Sequence, residues 1–374
     1  MRLLPVLPVL LVAALLSACS DDEPDVPEPE GTWTRAADLP LSPRWFPQVG
    51  WTGSEVLVVG GSDSVEPDDT GGGPGDALAD GAAYDPETDT WRAIAAAPIP
   101  IEYYYRTGMV GDTMVVLATG DGRATQWLAY DAGEDVWSEL PDAPREAGDF
   151  GALVVDGTSV LAPSRRLGYV MKLDVATGSW SVLPPDDVSP RLDVYGVATD
   201  ESDVLLCGPD PAIEEDGNTP RFVVVDKWNG STWTRLPQSH QLGCPTHWTG
   251  ERFVNSDIQT APGLDGNPPE GGRLDPGTGE WTDLPNAPDV ETRLPDSITA
   301  NAAAGPLVAG WGYLYDDQDG SWTPFGRPNS PVDEATGAAI VDRRLLVFGG
   351  RDEDAGYDGG AGLSDQTWIW APPD

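Results

Sequence analysis

The sequence YDPETDTW, at residues 84–91, decides the fold of this chain. It follows a short apolar run, and its Trp stands six residues after its first Asp, with Pro and polar residues between them. An Asp side chain can accept a hydrogen bond from the backbone two residues ahead, and Pro supplies a turn dihedral. The stretch therefore predicts a β-hairpin, in which one strand ends at Asp85 and the next strand opens with Trp91.

The same spacing returns along the chain, which makes the hairpin a structural repeat. The further copies are Asp131 to Trp137, Asp174 to Trp180, Asp275 to Trp281 and Asp316 to Trp322, together with Asp226 to Trp233, which has one added residue. Another Trp, Trp33, opens the first strand after the N-terminal region. Because a Trp can bury a large ring area, we expect this aromatic to fill the same packing position in every repeat.

Two further apolar segments precede each hairpin, so one repeat contains four short strands. A Gly- or Ala-rich segment comes first, as at residues 337–341, and a second apolar segment follows a tight turn, as at residues 345–350. A loop of variable length then leads into the hairpin. Four such strands form one blade of a β-propeller, and the seven Trp strands predict seven blades.

The repeat resembles the kelch motif, in which a double Gly follows an apolar strand and precedes a Tyr-Asp hairpin and a Trp. The double Gly is intact at Gly60-Gly61 and at Gly349-Gly350, and the other repeats depart from it. The resemblance covers residues 31–372 and is to the galactose-oxidase-like, kelch-type propellers. It implies an all-β, seven-bladed β-propeller of four-stranded blades.

The two ends of the repeat array predict how the ring closes. The last repeat stops after the strand that contains Trp370 and has three strands, whereas the strand around Trp33 has no partners before it. If the N-terminal strand completes the last blade, the ring has no exposed sheet edge, and propellers of this family close in this way. We therefore expect the N-terminal strand to join the last blade.

The composition argues against one class of partner and predicts a response to salt. The formal net charge is −41, from 62 acidic residues against 21 Lys and Arg. Such a surface repels phosphate backbones, which argues against nucleic-acid binding. It favours solubility, and self-repulsion of this size predicts greater stability with salt or divalent cations.

Residues 1–19, MRLLPVLPVLLVAALLSAC, predict an export signal, because one Arg precedes an apolar run that is too short to span a bilayer well. The last four of these residues resemble the bacterial lipoprotein box, which implies that Cys19 is diacylated and begins the mature chain. The alternative is an ordinary cleaved signal with an incidental Cys. Residues 20–30 are acidic and contain Pro, which predicts an extended tether. We expect an extracytoplasmic protein, lipid-anchored to the bacterial cell membrane.

Long insertions before the hairpins are one candidate site. They occupy residues 62–81, 210–220, 256–271 and 351–365 and are rich in acidic residues and Gly. Oxygen ligands at short spacing can hold Ca²⁺, but no insertion matches the Asp-x-Asp-x-Asp-Gly calcium loop. Solvated acidic loops are therefore the favoured interpretation, and no cofactor is assigned.

The connections between repeats are a second candidate site on the same side of the ring, which we call the loop-bearing face. Their basic side chains are Arg44, Arg106, Arg145, Arg191, His240, Arg293 and Arg327. Aromatic residues lie beside them in the sequence, namely Trp45, Phe46, Tyr103, Tyr104, Tyr105, Phe150 and Tyr195. Arg suits carboxylates and aromatic faces suit sugar rings, which predicts a pocket near the channel mouth for an acidic sugar, a peptide carboxylate or another small anion. The favoured alternative is that these Arg residues brace neighbouring loops against Asp.

Enzymatic function is the second hypothesis. The copper oxidases that share this fold need two Tyr, two His and a Cys crosslinked to one Tyr. The two His of this chain, His240 and His247, stand seven residues apart in one loop region, whereas the ligands of a radical-copper site come from separate blades. No nucleophile elbow, HExxH motif or phosphate-cradling loop is present. Sugar-epimerising propellers of the kelch type exist, so an epimerase-like or oxidase-like enzyme acting on a carbohydrate stays open.

The cysteines predict one crosslink. With Cys19 lipidated, Cys207 and Cys244 are an even pair in an oxidising compartment. Both are expected toward the same face, in adjacent blades, which predicts a disulfide between those blades. The alternative is two buried free thiols.

Taken together, these patterns predict a binding or scaffolding module. We expect a protein or carbohydrate ligand at the loop-bearing face, contact with the membrane through the lipid anchor alone, and a monomer.

Overall fold

A computed structural model describes the chain over residues 27–63, 77–101, 107–119, 125–144, 152–164, 169–186, 188, 192, 194–214, 218–261, 264–288, 298, 300–330, 337–351 and 362–373. In these ranges the regular secondary structure is all β, and the strands form seven four-stranded antiparallel sheets arranged as the blades of a propeller. The predicted fold class is confirmed. Over the same ranges, no helix has the length and apolar character that crossing a bilayer requires.

The first four blades follow the chain in order. Blade 1 consists of β2 (Gln48–Trp51), β3 (Val56–Val59), β4 (Gly81–Asp85) and β5 (Thr90–Ala93). Blade 2 consists of β6 (Thr107–Val110), β7 (Thr113–Thr119), β8 (Thr125–Asp131) and β9 (Val136–Glu139). Blade 3 consists of β10 (Val154–Asp156), β11 (Ser159–Pro163), β12 (Val170–Asp174) and β13 (Ser179–Val182). Blade 4 consists of β14 (Gly196–Thr199), β15 (Val204–Pro209), β16 (Val223–Trp228) and β17 (Trp233–Arg235).

The last three blades include the shortest strands and the closing strand. Blade 5 consists of β18 (His247–Trp248), β19 (Phe253–Asn255), β20 (Gly272–Leu274) and β21 (Trp281–Thr282). Blade 6 consists of β22 (Ala302–Ala304), β23 (Leu307–Gly310), β24 (Tyr313–Asp316) and β25 (Ser321–Pro324). Blade 7 consists of β26 (Gly337–Val341), β27 (Arg344–Arg351), β28 (Leu363–Ala371) and, from the other end of the chain, β1 (Thr32–Arg35).

Ring closure follows the sequence prediction. β1 pairs antiparallel with β28, with Thr32 opposite Ala371 and Arg35 opposite Trp368. The indole nitrogen of Trp370 also donates a hydrogen bond of 2.8 Å to the carbonyl oxygen of Glu30. β1, the outer strand of blade 7, is therefore held by backbone pairing with β28. The Trp370 side chain adds a hydrogen bond to the backbone just before β1 begins.

The cores lie between neighbouring blades, and strand β3 shows why its sequence is apolar throughout. Its four residues are fully buried. Leu57 and Val59 pack in the cluster shared with blade 2, whereas Val56 and Val58 pack in the cluster shared with blade 7. Successive side chains of a strand point to opposite faces, so a strand buried on both faces reads as a continuous apolar run.

The repeated Trp side chains join each blade to the one before it. In six blades the indole nitrogen of a fourth-strand Trp donates to a backbone carbonyl that follows the fourth strand of the preceding blade. These pairs are Trp33 with Phe325, Trp91 with Ala37, Trp137 with Ala95, Trp180 with Pro141, Trp233 with Pro184 and Trp322 with Pro285, at 2.6–2.9 Å. We call this contact the indole bond. The single packing position expected for the Trp is thus a joint between blades.

The hairpin of blade 4 differs from the sequence expectation. Asp226 does not start the turn, because β16 continues to Trp228. Asp226 is fully buried and pairs with Arg235 at 2.6 Å, and Asn229 makes the turn by accepting the backbone N–H of Thr232 at 2.9 Å. The residue added between Asp226 and Trp233 thus belongs to a longer strand with a later turn.

Candidate functional site

The strand ends define two faces of the ring. The loops between second and third strands meet the connections between blades, as where Gly61 donates its backbone N–H to the carbonyl of Ile101 at 3.1 Å and Leu78 pairs with Ile101. In blade 5, Leu242 of the connection donates to Pro269 of the loop at 3.0 Å. These segments form the loop-bearing face. The hairpin turns gather on the opposite side, which we call the turn-bearing face.

Arg44 lies on the loop-bearing face in the geometry of the bracing alternative. Its side chain has no exposed surface, and its Nη1 lies 2.9 Å from Oδ1 of Asp80. It also donates to the carbonyl oxygens of Gly60 and Ser42, both at 3.0 Å. Arg44 therefore ties the connection into blade 1 to the loop that precedes the hairpin. Its guanidinium is engaged by these internal contacts and is buried from any ligand.

The neighbours of Arg44 have a different environment. The rings of Trp45 and Phe46 have their centroids 4.5 Å apart, and both side chains are half-buried. The guanidinium carbon of Arg351 lies 5.3 Å from the centre of the Trp45 ring, within cation–π range. Phe46 has a φ of 49°, a left-handed conformation that is uncommon for a bulky side chain. Here the structure brings together two aromatics with an Arg that the sequence analysis did not select.

Trp45 is held in place by the backbone around it. Its N–H donates to the carbonyl of Ser62 at 2.7 Å, and the N–H of Ser62 donates back at 2.9 Å. The pair forms an isolated β-bridge at the start of the first insertion. The aromatic pair therefore sits where the connection into blade 1 meets the insertion at residues 62–81.

His240 and Tyr195 occupy other parts of the loop-bearing face. Nε2 of His240 lies 2.7 Å from Oδ1 of Asp283, which follows β21, the outermost strand of blade 5. His240 is therefore at the outer part of the ring, away from the channel mouth. Tyr195 has 56% of its surface exposed, and its backbone N–H donates to the carbonyl of Cys207 at 2.8 Å. Arg327 is exposed in the connection that leaves blade 6.

The remaining sequence-selected residues lie outside the described part of the chain. They are Cys19, Tyr103, Tyr104, Tyr105, Arg106, Arg145, Phe150, Arg191 and Arg293. Of the predicted set, the structure thus locates the residues of blades 1, 4 and 5 and of the connection that leaves blade 6.

A disulfide links Cys207 and Cys244, with 5.7 Å between their Cα atoms. Cys207 lies on β15 of blade 4, and Cys244 precedes β18 of blade 5. The crosslink therefore joins adjacent blades, and both cysteines are at least nine-tenths buried.

The insertion at residues 256–271 contains a pair of neighbouring carboxyl groups. Burial, and then the Asp257 carboxylate, raise the pKa of Glu270 above its usual value. Glu270 donates its backbone N–H to Gln259 and accepts that of Gly243, both at 2.9 Å. In the described ranges, no three His, Cys, Asp or Glu side chains converge as ligands for a metal ion. The Ca²⁺ prediction stays a prediction.

The turn-bearing face holds a buried charge cluster between blades 5 and 6. Asp317 accepts hydrogen bonds from Thr249 at 2.8 Å and from the hydroxyl of Tyr315 at 2.9 Å, and Nη1 of Arg252 lies 3.4 Å away. Burial and the bond to Asp317 raise the pKa of the Tyr315 hydroxyl. The contacts of Thr249 and Arg252 with Asp317 cross the joint, and the Tyr315 contact fixes Asp317 within blade 6, so the role of the cluster is structural.

His247 and His240 contact different partners, because His247 meets blade 6 and His240 meets Asp283 after the outer strand of blade 5. Nε2 of His247 donates to the carbonyl of Gly305 in blade 6 at 2.8 Å. Burial lowers the pKa of His247 below its usual value. A shallow cavity of about 360 Å³ lies on the same face between blades 2 and 3, lined in part by Val110, Asp131 and Thr158.

Comparison with known proteins adds a partial sequence match and two similar folds. No protein-family model matches the chain. The F-box protein AFR of Arabidopsis thaliana is 27% identical over 139 residues, which are 36% of this chain and 34% of that protein. The chain thus matches about a third of that relative's length.

The two similar folds come from solved structures. A chain in the crystal structure of the Mitotic Checkpoint Complex has a TM-score of 0.49 and 13% identity, with 99% of this chain and 100% of that chain covered. The structure of YjhT has a TM-score of 0.43 and 11% identity, with 88% and 95% covered.

Proposed function

We propose that this chain is a kelch-like propeller lipoprotein, anchored outside the cytoplasm through Cys19, that binds a protein or carbohydrate at its loop-bearing face. The observation that carries the proposal is that the repeated residues and the variable loops have different places in the structure. Residues that recur in every blade, such as Trp91 and Trp137, are used in the joints. The insertions, which vary in length, and the connections between blades contact one another on one face.

The chemistry of that face fits a recognition surface. The half-buried Trp45 and Phe46 offer ring faces, and Tyr195 offers a largely exposed one. Aromatic side chains give large contact area with few rotatable bonds, which is why they recur at binding sites. Arg44 holds the connection that carries Trp45, so it acts as a positioning residue rather than as a ligand contact.

Charge narrows the kind of protein partner. The four insertions contain no Lys, Arg or His except Arg351. Acidic insertions attract basic surfaces and speed their encounter, and this attraction weakens with salt. A protein partner that contacts the insertions should therefore present Lys or Arg side chains to them.

Membrane fractionation tests the anchor. The full-length protein should partition into the detergent phase of a Triton X-114 separation, and the Cys19→Ala variant should be released into the aqueous phase. A Cys19→Ser variant provides the matched second substitution. Retention of both variants in the membrane fraction would refute the lipid anchor.

Photocrosslinking tests the binding face. A photoreactive amino acid at Tyr195 reports on the loop-bearing face, and one at Val136, which is 54% exposed at a hairpin on the other face, is the matched control. Crosslinks in intact cells should form from position 195 and not from position 136. Equal crosslinking from both positions would contradict the proposal. A turnover screen on carbohydrates with the same protein tests the enzymatic alternative.

A further inference from the structure

One joint of the ring departs from the pattern of the others. Six Trp side chains make the indole bond, and the seventh is Trp281, at the joint between blades 4 and 5. Its indole nitrogen is buried and has no hydrogen-bond partner among the described residues. The expected acceptor is the carbonyl of Pro237, which follows β17 as Pro184 follows β13. A buried donor without a partner costs free energy, so this contact adds nothing to the joint.

The rest of the hairpin still packs on the joint. A Cβ placed on Gly279 would lie 2.5 Å from Cδ of Pro237, and Trp281 packs beside Leu236. The hairpin therefore touches the preceding blade as its counterparts do. What is missing is the polar contact.

The same joint carries the disulfide. Cys207 pairs with Gly196 on the first strand of blade 4, and a Cβ on Gly196 would lie only 2.9 Å from Cβ of Cys244. The crosslink therefore ties the inner part of blade 4 to the chain that enters blade 5. It is the single disulfide among the described residues, and it lies at the one joint whose indole bond they lack.

Blade 5 also has the shortest strands of the seven blades and therefore the fewest backbone hydrogen bonds between strands. Its strands contain two or three residues each, whereas β27 and β28 of blade 7 contain eight and nine. Fewer ladder hydrogen bonds leave a blade more dependent on its joints. A disulfide restricts the unfolded chain and holds two blades together without any donor or acceptor.

We infer that the Cys207–Cys244 disulfide replaces the indole bond as the fastener between blades 4 and 5, and that its reduction opens this joint selectively. The segment released is the connection at residues 236–246. This connection is hydrogen-bonded to the insertion at residues 256–271, through Leu242 to Pro269 and Gly243 to Glu270. Reduction would therefore loosen one sector of the loop-bearing face and leave the other six joints closed.

The chemical step is a thiol–disulfide exchange. A dithiol such as dithiothreitol supplies two electrons and two protons, Cys207 and Cys244 become thiols, and the dithiol closes to its own cyclic disulfide. The state of the cysteines is read from the mass of the protein after alkylation.

Hydrogen exchange measured by mass spectrometry tests the selectivity. After reduction, amides at residues 236–248 should exchange on the order of tenfold faster or more, because local exchange follows the free energy of local opening. Amides in the connection at residues 140–144 should be unchanged. The Cys207→Ser, Cys244→Ser double variant gives the open state where dithiothreitol does not reach the buried bond. No change at residues 236–248, or equal acceleration at both connections, would overturn the inference, as would global unfolding of the double variant.

Two Trp variants test whether the disulfide takes the place of the indole bond at this joint. Trp233 makes the indole bond to Pro184 at 2.9 Å, whereas Trp281 makes none. In the oxidised protein, Trp233→Phe should lower the unfolding midpoint clearly more than Trp281→Phe does. Equal losses for the two variants would show that Trp281 contributes a polar contact after all, and the inference would fail.

Discussion

Oδ1 of Asp89 accepts two hydrogen bonds of 2.8 Å, one from the backbone N–H of Ala37 and one from the hydroxyl of Tyr84. Ala37 lies just after the outer strand of the preceding blade, and its carbonyl accepts the indole bond of Trp91. Asp89 has a φ of 52°, which aims its side chain across the joint. One hairpin thus satisfies both polar groups of a single residue in the neighbouring blade.

In other blades, the hairpin residue equivalent to Asp89 varies with the residue that faces it across the joint. In blades 3, 5 and 6 the connection begins with Pro, which has no N–H, and the hairpin has Gly in place of Asp. Blade 4, whose Trp233 bonds to Pro184, has Ser231 at this position. Gly178 has a φ of 65°, and a Cβ on it would lie 3.2 Å from Pro141. Gly320 faces Pro285 in the same way. Among the hairpins that carry Asp or Gly here, Asp occurs where the connection offers an N–H donor and Gly occurs where it offers none.

The substitution Asp89→Gly should destabilise the protein modestly. Gly keeps the positive φ and removes the acceptor, so the loss reports on the hydrogen bonds and should be about 1 kcal/mol. Urea unfolding measures it, with Glu87→Ala in the same exposed turn as the control. An unchanged free energy of unfolding would mean that water replaces both bonds without cost.

The substitution Arg44→Ala should be costly. It removes a fully buried side chain with its bonds to Asp80 and to two carbonyl oxygens, and we expect a loss of about 3 kcal/mol. The matched control is Arg35→Ala, which breaks an exposed pair with Asp38 and should cost about 0–1 kcal/mol. Similar losses for the two variants in urea unfolding would contradict the bracing role.

Deletion of residues 31–38 should cost far more stability than their number suggests. It removes β1 and exposes the edge of β28. It also removes Ala37, whose carbonyl accepts the indole bond of Trp91. Deletion of residues 20–27, which precede the strand, is the control and should leave the unfolding temperature unchanged. If the first deletion melted like the parent, closure by β1 would not matter for stability.

Mild acid should destabilise the protein through His247. Burial lowers its pKa in the folded state, so the unfolded state binds the proton more readily. This contribution to stability is fully present above a pH of about 6.5, the usual pKa of His, and is lost as the pH falls toward the folded-state pKa. The free energy of unfolding should drop between pH 7.5 and 5.5, and His247→Gln should reduce that drop. His240→Gln, on the exposed side chain, is the control, and equal effects of the two variants would refute the assignment.

Salt should stabilise the protein. With a net charge of −41, the folded chain repels itself, and screening relieves that repulsion. The unfolding temperature should rise with NaCl, most steeply below about 0.15 M, where the Debye length is still longer than about 8 Å. A flat or falling dependence would show that local ion pairs outweigh the overall repulsion.

The fold was predictable because its signal is repeated. The distance from Asp85 to Trp91 reflects a local hairpin, and several copies of a local signal define a global arrangement. Ring closure was predictable for the same reason, since β1 supplies the one strand that blade 7 lacks. The hairpin of blade 4 was not, because Asn229 makes the turn as well as Asp does.

The candidate site was less predictable because a sequence places a residue in a loop without giving the direction of its side chain. Arg44 and Trp45 are neighbours in the sequence, yet Arg44 turns into the blade while Trp45 meets Arg351 from the far end of the chain. The missing indole bond of Trp281 was equally hidden, because Leu236-Pro237 repeats the sequence of Leu183-Pro184.

The pairing of β1 with β28 also determines when the protein can be completed. β1 and β28 lie at opposite ends of the repeat array, so blade 7 cannot assemble until the chain between them has been synthesised. Pairing between such distant segments is slow, because a long loop must close before any contact rewards it. Until β1 joins blade 7, the edge of β28 is unpaired and can pair with wrong partners. Among the described strands, ring closure therefore depends on the pairing that joins the most distant segments of the chain.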